Sequence, residues 1–222
     1  MWNLTQLPVR GTVYGTLLND KSALAALGDQ VNAPPYKAPP QAPILYIKPR
    51  NTLVGHGAHV VVPSDVLALE MGATLGVVMG RTASNVRAEN ALSYVAGYTV
   101  VNDISVPHAS FYRPSMRFKC RDGFCPMGPA VVPREAIANP DALRVTVALD
   151  GVVVQETSTA ERLRAIAQLL AEVTEFMTLH PGDVISIGVA AGAPLARVGQ
   201  RVSISIEGVG VLENTLMAED LA

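Results

Sequence analysis

The sequence predicts a mixed α/β protein that is mostly β and has few helices. Nine short runs are rich in β-branched residues and are mostly separated by turn residues, as is typical of strands. Two of these runs flank Asp150-Gly151, a two-residue spacing that favours a β-hairpin. Only two segments repeat apolar residues at the spacing of a helix. The nine runs are residues 11–18, 44–47, 60–62, 75–79, 98–101, 145–149, 152–154, 184–187 and 202–206.

The longer of the two helical segments covers residues 160–177. Its apolar residues recur at intervals of three, four and one, which places them on one face of a helix. They are Leu163, Ile166, Leu169, Leu170, Val173 and Met177. His180-Pro181-Gly182 then predicts a stop followed by a turn. The second segment, 86–96, is shorter and ends before Gly97, a residue typical of the position after a helix.

The length of 222 residues suits one domain with a small additional region. Five prolines fall within residues 33–43, a composition typical of an extended arm or of a linker. Strand patterns lie close on both sides, which favours the arm. We therefore predict a small N-terminal region over residues 1–45 that includes this arm, and a main domain over residues 46–222.

The composition argues against two broad classes of partner. The chain has 17 Lys and Arg against 19 Asp and Glu, whereas binding nucleic acid regardless of its sequence needs a surplus of positive charge. The longest stretch without a charged residue, 51–64, is too short to span a membrane. The N-terminus lacks the basic and apolar segments of an export signal. We expect a cytoplasmic protein with reduced cysteines, no nucleic-acid partner and no membrane partner.

Cations are concentrated in two short segments. One contains Arg113, Arg117, Lys119 and Arg121, and the other contains Lys48 and Arg50. Arginine binds planar carboxylates through two parallel hydrogen bonds, and lysine stabilises a negative oxygen as a point charge. Apolar and turn-forming residues surround the first segment and suggest that it lies against the protein, so a small polycarboxylate is a candidate ligand. A solvated basic loop is the alternative interpretation.

Asp103 and His108 are further candidate site residues. Asp103 follows an apolar run, and a buried carboxylate is costly unless it is paired, so a functional and a structural role are both open. His108 is able to move protons near neutral pH, although a lone histidine in a loop often has no such role. The CRDGFC segment at 120–125 lacks the second pair of ligands that a zinc site needs, so two reduced cysteines are the better interpretation.

Several segments match the fumarylacetoacetate hydrolase superfamily in order and in spacing. They are LGVVMG at 75–80, YVAGY at 94–98, Asp103, Lys119, FCPMGP at 124–129 and LHPGDVISIG at 179–188. The chain resembles this family over about residues 12–215. The resemblance implies a roll of twisted, mostly β sheets, with the active site in a central cleft of a catalytic-type domain over residues 46–222.

A sharper resemblance is to one branch of the family. YKAPP at 36–40, IKPRNT at 47–52 and the segment 110–126 are similar to the N-terminal half of bifunctional enzymes of 4-hydroxyphenylacetate degradation. Members of that branch decarboxylate 5-oxopent-3-ene-1,2,5-tricarboxylate and isomerise 2-hydroxyhepta-2,4-diene-1,7-dioate. The resemblance implies a small polycarboxylate substrate and a dienolate intermediate. It also implies a partner, either a C-terminal-type homologous subunit, a second copy of the chain, or both.

The chain departs from the family at the metal site. Members hold Mg²⁺ with an E-x-E pair and a later aspartate, but here the pair's positions are Gly72 and Thr74, and only Asp103 is retained. One carboxylate seldom holds a hard divalent cation, so we expect no metal cofactor in this chain. If the strand geometry of the family is kept, glutamates at 72 and 74 would restore the site. The histidine and glutamate that many members carry on a short N-terminal helix are missing from residues 19–27.

The resemblance and the retained residues together suggest roles in a dienolate reaction. Lys119 would stabilise the negative charge of the dienolate, and Asp103 or His108 would move the proton. The expected substrate contacts are Lys48, Tyr112, Arg113 and Arg121. Of these, the two arginines would hold the outer carboxylates of the substrate.

Two other functions stay open at this point. The missing metal ligands also fit a catalytically degenerate subunit that completes a hetero-oligomer with a metal-bearing homologue. An acylpyruvate-type C–C hydrolase is the third interpretation, and it is weakened because that chemistry relies on a metal and an activated water.

Overall fold

The computed structural model describes residues 7, 9–108 and 116–219. Within these residues the chain forms fifteen strands and four α-helices, which confirms the prediction of a mostly β protein with few helices. The strands are β1 (Val13–Leu17), β2 (Ile44–Lys48), β3 (Leu53–Val54), β4 (His59–Val62), β5 (Leu69–Glu70), β6 (Ala73–Met79), β7 (Val95–Asn102), β8 (Cys125–Pro126), β9 (Val132–Pro133), β10 (Arg144–Leu149), β11 (Val152–Ser158), β12 (Val184–Ser186), β13 (Leu195–Ala196), β14 (Arg201–Ile206) and β15 (Gly210–Ala218). The helices are α1 (Lys21–Ala25), α2 (Ala88–Ala91), α3 (Met116–Lys119) and α4 (Ile166–Phe176).

The larger sheet of the described chain has six strands in the order β2-β1-β12-β6-β7-β9. Strand β1 pairs in parallel with β12, and the other neighbours are antiparallel. All seven residues of β6 are buried, and a strand covered on both faces is a continuous apolar run rather than an alternating one. Strand β1 comes from the predicted N-terminal region but lies between β2 and β12. That region therefore shares a sheet with the predicted main domain.

The second sheet has five described strands in the order β11-β10-β14-β15-β4. Along β14, Val202, Ile204 and Ile206 are buried, as expected for a strand with one face toward the core. The hairpin predicted at Asp150-Gly151 is confirmed, since β10 pairs antiparallel with β11. Both turn residues have positive φ, 51° and 85°, as a type I′ turn requires.

The longer helix is shorter than the sequence predicts. Helix α4 begins at Ile166 instead of near residue 160. Thr159–Glu161 form a 3₁₀ turn, and residues 162–165 are not helical because they bond to the N-terminal region: the Arg164 backbone N–H donates to Asn19 Oδ1 at 3.1 Å, and the buried Arg162 pairs with Asp20. These partners are distant in sequence, so the local spacing of apolar residues contains no sign of them. The buried residues of α4 are Ile166, Leu169, Leu170, Val173 and Thr174.

The second predicted helix, 86–96, is wrong over most of its length. Helix α2 has only four residues, a 3₁₀ turn follows at Leu92–Tyr94, and Val95 begins β7. Gly97 lies within β7, where a Cβ would overlap with the carbonyl oxygen of Val132 in β9. Glycine here allows the two strands to approach closely and does not end a helix. Among the described helices, none is long enough and apolar enough to cross a membrane.

Three elements bring polar side chains to one point at the edge of the apolar core. Asp103 follows directly after β7, Lys48 is the last residue of β2, and Lys119 is the last residue of α3. All three are buried. The fold therefore assembles a charged group from segments that are far apart in the sequence.

Candidate functional site

A buried carboxylate lies where β2 and β7 end. Asp103 is 3% exposed and is surrounded by two lysines and a tyrosine. Lys48 Nζ lies 2.6 Å from Oδ1, Lys119 Nζ lies 3.2 Å from Oδ2, and the Tyr46 hydroxyl donates a hydrogen bond to Oδ2. We name these four residues the Asp103 cluster. Each carboxylate oxygen lies beside a lysine Nζ and Oδ2 also accepts hydrogen bonds, so the negative charge is tolerated away from water.

Strand alternation explains why β2 contributes two members of this cluster. Successive side chains of a strand point to opposite faces, so Tyr46 and Lys48 share the buried face while Ile47 is 49% exposed. Gly15 in β1 makes room for the tyrosine, because a Cβ there would overlap with the Tyr46 ring. Tyr46 was not among the residues predicted from the sequence, although its spacing of two residues from Lys48 was a usable signal.

Lys48 connects the cluster to three backbone segments. Its Nζ donates to the carbonyl oxygens of Ile104, Lys119 and Phe124 at 3.0, 2.8 and 2.9 Å. Burial lowers the pKa of Lys48 to about 7 and raises the pKa of Asp103, and the nearby Lys119 charge opposes that rise. Lys48 is not among the described residues that line the adjacent cavity. Its position supports a structural role and gives no support to the predicted substrate contact.

A cavity of about 310 Å³ lies beside the Asp103 cluster. Its volume suits a small organic molecule. Apolar walls come from Ala23 and Ala26 near α1 and from the loop at 189–193. The polar residues that line it include Tyr46, Glu70, Asp103, Ser105, His108 and Lys119. Three residues predicted from the sequence as catalytic, Lys119, Asp103 and His108, are therefore brought to one cavity.

Lys119 brings a positive charge to this cavity. Its side chain is 10% exposed, and Nζ lies 5.0 Å from the centre of the Tyr46 ring. The salt bridge to Asp103 fixes the ammonium group at the cavity wall. A charge in such a poorly hydrated position interacts more strongly with a ligand than it would in water.

His108 lines the cavity with a fixed ring orientation. Its Nδ1 lies 2.8 Å from the carbonyl oxygen of Val106, and because a carbonyl only accepts, Nδ1 carries the proton of the neutral ring. That tautomer leaves Nε2 as the nitrogen that accepts a further proton. The ring stacks on Phe118 of α3, with the ring centres 5.2 Å apart. His108 therefore has the chemistry and the orientation of a proton-transfer group.

A second carboxylate, Glu70, lines the same cavity. The Ser105 hydroxyl donates to Glu70 Oε2 at 3.0 Å. The two residues also pair through their backbones, with N···O distances of 2.9 and 3.3 Å. Neither was predicted from the sequence. Strand β5 has only two residues, too few to give a periodic pattern that would indicate the direction of Glu70.

Of the remaining predicted substrate contacts, only Arg121 lies within the described residues. Its Nε donates to the carbonyl oxygen of Arg117 at 3.1 Å, and its Nη1 lies 3.6 Å from Asp65. Arg121 is not among the described residues that line the cavity, so this position gives no support to a carboxylate contact. Tyr112 and Arg113 lie outside the described residues.

The residues at positions 72, 74 and 103 do not fit a divalent cation. Gly72 supplies no ligand, and a Cβ there would overlap with the carbonyl oxygen of Asp103, so a glutamate at 72 has no room. The restoration of a metal site by glutamates therefore requires the Asp103 backbone to move away from position 72. Thr74 is fully buried beside Ser186, and the Asp103 carboxylate already faces two ammonium groups. Within the described ranges, no group of three or more His, Cys, Asp or Glu side chains is arranged to hold a metal ion.

Helix α1 supplies one wall of the cavity. Asp20 accepts hydrogen bonds from backbone N–H groups of the first turn and also pairs with the buried Arg162. These bonds attach the helix to the segment that precedes α4. Ala23 and Ala26 line the cavity, so this wall offers small apolar side chains to a ligand.

The comparison with known families covers nearly the whole described chain. The model of the fumarylacetoacetate (FAA) hydrolase C-terminal family matches residues 12–217. The chain belongs to the fumarylacetoacetate hydrolase family. The matched range contains the Asp103 cluster and all the residues that line the cavity.

Relatives in the fumarylacetoacetate hydrolase family include enzymes with named activities. The chain is 41% identical over 212 residues to the 4-hydroxyphenylacetate degradation bifunctional isomerase/decarboxylase of Salmonella dublin, over 96% of this chain and 48% of that protein. It therefore spans about half the length of that relative. The solved 5-carboxymethyl-2-hydroxymuconate delta-isomerase from Mycobacterium smegmatis matches with a TM-score of 0.80 and 27% identity, over 98% of this chain and 85% of that one. The 2-hydroxyhepta-2,4-diene-1,7-dioate isomerase from Mycobacterium marinum matches with a TM-score of 0.75 and 25% identity, over 96% and 76%.

The structural role of Lys48 gives a test of stability. Replacing Lys48 with Met removes the 2.6 Å partner of Asp103 and the donor to three buried carbonyls. Breaking a buried ion pair in this way should lower the free energy of unfolding by about 3–5 kcal/mol, measured by urea denaturation. Arg50→Met, an exposed change close by, is the control and should change it by less than about 0.5 kcal/mol. Equal stability of Lys48→Met and the unmodified protein would contradict the structural role.

Proposed function

We propose that this chain isomerises 2-hydroxyhepta-2,4-diene-1,7-dioate to its 2-oxo-3-ene form through a dienolate. The observation that carries the proposal is the Lys119 ammonium, which Asp103 fixes at 3.2 Å and which lines a small cavity together with His108. The names of the relatives support the same chemistry. One is an isomerase/decarboxylase of 4-hydroxyphenylacetate degradation, and another is an isomerase of this dienedioate.

In this mechanism Lys119 stabilises the dienolate oxygen. When the enol loses its proton, negative charge spreads over the oxygen and the conjugated carbons. An ammonium group that is already in place stabilises this charge without reorganisation, and poor hydration strengthens the interaction. Asp103 acts as a positioning residue for Lys119, because both of its oxygens are paired with neighbouring cations.

We assign the proton of the enol oxygen to His108. The neutral ring carries its proton on Nδ1, so Nε2 is the atom that takes the proton from the substrate hydroxyl. His108 suits this transfer better than Asp103 does, because burial and two salt bridges commit the Asp103 carboxylate to the cluster.

We further propose that a homologous second half completes the bifunctional activity. Decarboxylation of 5-oxopent-3-ene-1,2,5-tricarboxylate also passes through a dienolate, so both reactions use the same kind of stabilisation. This chain corresponds to 48% of the Salmonella dublin relative, and its residues at 72, 74 and 103 do not fit a metal. The partner that we propose is a C-terminal-type homologous subunit, with which this chain or a dimer of it associates.

The central test is the turnover of purified protein with 2-hydroxyhepta-2,4-diene-1,7-dioate, followed by its ultraviolet absorbance. Lys119→Met should reduce kcat about 100-fold or more, because it removes an electrostatic stabiliser of the transition state. Lys48 still pairs with Asp103 in this variant, so the fold should be kept. Arg117→Met, an exposed change on the same helix, should keep full turnover. Turnover of Lys119→Met equal to that of the unmodified protein would reject the role of Lys119.

The two predicted arginine contacts are separable by experiment. Arg113→Lys keeps the charge but loses the paired hydrogen bonds, so binding of 2-oxoheptane-1,7-dioate should weaken by about 1–3 kcal/mol in calorimetry. Arg121→Lys should leave the affinity unchanged, because Arg121 contacts Asp65 and the backbone outside the cavity. Weakened binding in Arg121→Lys alone would reverse this assignment.

We propose that the isomerisation by this chain requires no divalent metal. Among the described residues, Lys119 is the cation that lines the cavity, and Gly72 and Thr74 offer no carboxylate. Dialysis against EDTA should therefore leave the isomerase turnover unchanged. Elemental analysis after incubation with millimolar MgCl₂ should find far less than one Mg²⁺ per chain. Loss of turnover in EDTA that added Mg²⁺ restores would overturn this proposal.

A further inference from the structure

We infer that Glu70, oriented by Ser105, is the catalytic group that exchanges the proton on the substrate carbon. The inference rests on the proposed isomerase function and adds a residue to that site. The Glu70 carboxylate lines the cavity that Asp103, His108 and Lys119 also line. Its Oε2 accepts the Ser105 hydroxyl at 3.0 Å, which fixes the direction of the carboxylate.

The strand geometry places Glu70 and Asp103 on the same side of a ladder. Glu70 pairs with Ser105 through two backbone hydrogen bonds, and the Asp103 N–H donates to the Gly72 carbonyl at 2.8 Å. Residues two apart in a strand share a face, so Glu70 and Asp103 are diagonal neighbours. Diagonal neighbours in such ladders are about 7–8 Å apart between Cα atoms. Gly72 lies between them without a side chain, so no side chain at position 72 separates the two carboxylates.

The two carboxylates have different surroundings and therefore different roles. Asp103 is 3% exposed and is paired with two ammonium groups and a phenol. Glu70 is partly buried, and its carboxylate accepts a hydrogen bond from the neutral Ser105 hydroxyl. The nearby cations favour the charged form of Asp103, so the transfer of the proton at carbon is assigned to Glu70.

The groups that line this one cavity are assigned to the two ends of a dienolate. Lys119 and His108 act at the oxygen, and Glu70 acts at the terminal carbon of the conjugated system. Because a proton leaves the oxygen and another arrives at a distant carbon, two separate proton-transfer groups are needed. Without Glu70, the site described above has no group assigned to the carbon.

Every proton is accounted for in this step. The enol O–H bond breaks first, and its proton passes to Nε2 of His108, which leaves the dienolate. One proton passes through solvent water from the imidazolium of His108 to the carboxylate of Glu70. As the ketone forms, the oxygen electron pair forms the C=O bond, the electron pair of the adjacent C=C bond moves to form the new central C=C bond, and the electron pair of the terminal C=C bond takes the proton from Glu70 to form the new C–H bond. In the reverse direction, the carboxylate removes the proton from the same carbon.

The test measures proton exchange at carbon directly. The unmodified protein, Glu70→Gln and Glu175→Gln are each incubated with the substrate in D₂O, and deuterium entry into the new methylene group is followed by NMR. Glu70→Gln keeps an oxygen that accepts the Ser105 hydroxyl but cannot transfer a proton. Both exchange and turnover should fall about 100-fold or more. Glu175→Gln, an exposed change on α4, should match the unmodified protein.

A second variant separates proton transfer from positioning. Glu70→Ala should be inactive, and added formate should restore its exchange at least tenfold by supplying a carboxylate in the space that is left. Loss of activity without this rescue would assign Glu70 to positioning and overturn the inference. Exchange by Glu70→Gln at the rate of the unmodified protein would also overturn it. If the unmodified protein itself neither turns over nor exchanges the substrate, the proposed isomerase function is the statement that fails.

Discussion

The pairing of the Asp103 carboxylate with two lysines and a tyrosine is the interaction on which the site depends. Asp103 follows β7, Tyr46 and Lys48 come from β2, and Lys119 ends α3. A buried carboxylate without these partners would carry a penalty of several kcal/mol. The same contacts that make its burial tolerable also fix the Lys119 ammonium at the cavity wall. Stability and the proposed chemistry therefore rely on one set of salt bridges.

This arrangement determines which kind of reaction the site favours. Of the two lysines paired with Asp103, Lys119 is the one that lines the cavity. A fixed organic cation stabilises an oxyanion, but it has no open coordination position for a water molecule. The position of Gly72 against the Asp103 backbone leaves no space for a carboxylate ligand at that point. The residues of the site thus favour enolate chemistry over hydrolysis.

The close approach at Gly72 also shapes the cavity. Because no side chain stands at this position, Glu70 and Asp103 remain as two carboxylates on one side of the ladder, each with a different partner. Asp103 is paired with lysines and holds Lys119 in place. Glu70 accepts a hydrogen bond from the Ser105 hydroxyl. A single site thereby contains a charge stabiliser and a second carboxylate.

Much of the fold was predictable because strands and turns leave local patterns in the sequence. The hairpin at Asp150-Gly151 follows from two residues that adopt positive φ, and the buried face of β14 follows from simple alternation. The start of α4 was not predictable. Asn19, far away in sequence, bonds to the Arg164 backbone and keeps residues 162–165 out of the helix. The spacing of apolar residues along the sequence predicts which face of a helix is apolar. It does not predict where residues that are distant in sequence prevent the helix from forming.

The same division applies to the site. The sequence by itself determined that Asp103, His108 and Lys119 are candidates, because their residue types and motif positions carry the chemistry. The tertiary structure gives Lys48 three buried carbonyl partners, which lie 56 to 76 residues away in the chain. It also placed Arg121 outside the cavity and Glu70 inside it. The physical reason is that a charged side chain takes its role from the groups within a few ångströms of it, and only the folded chain brings those groups together.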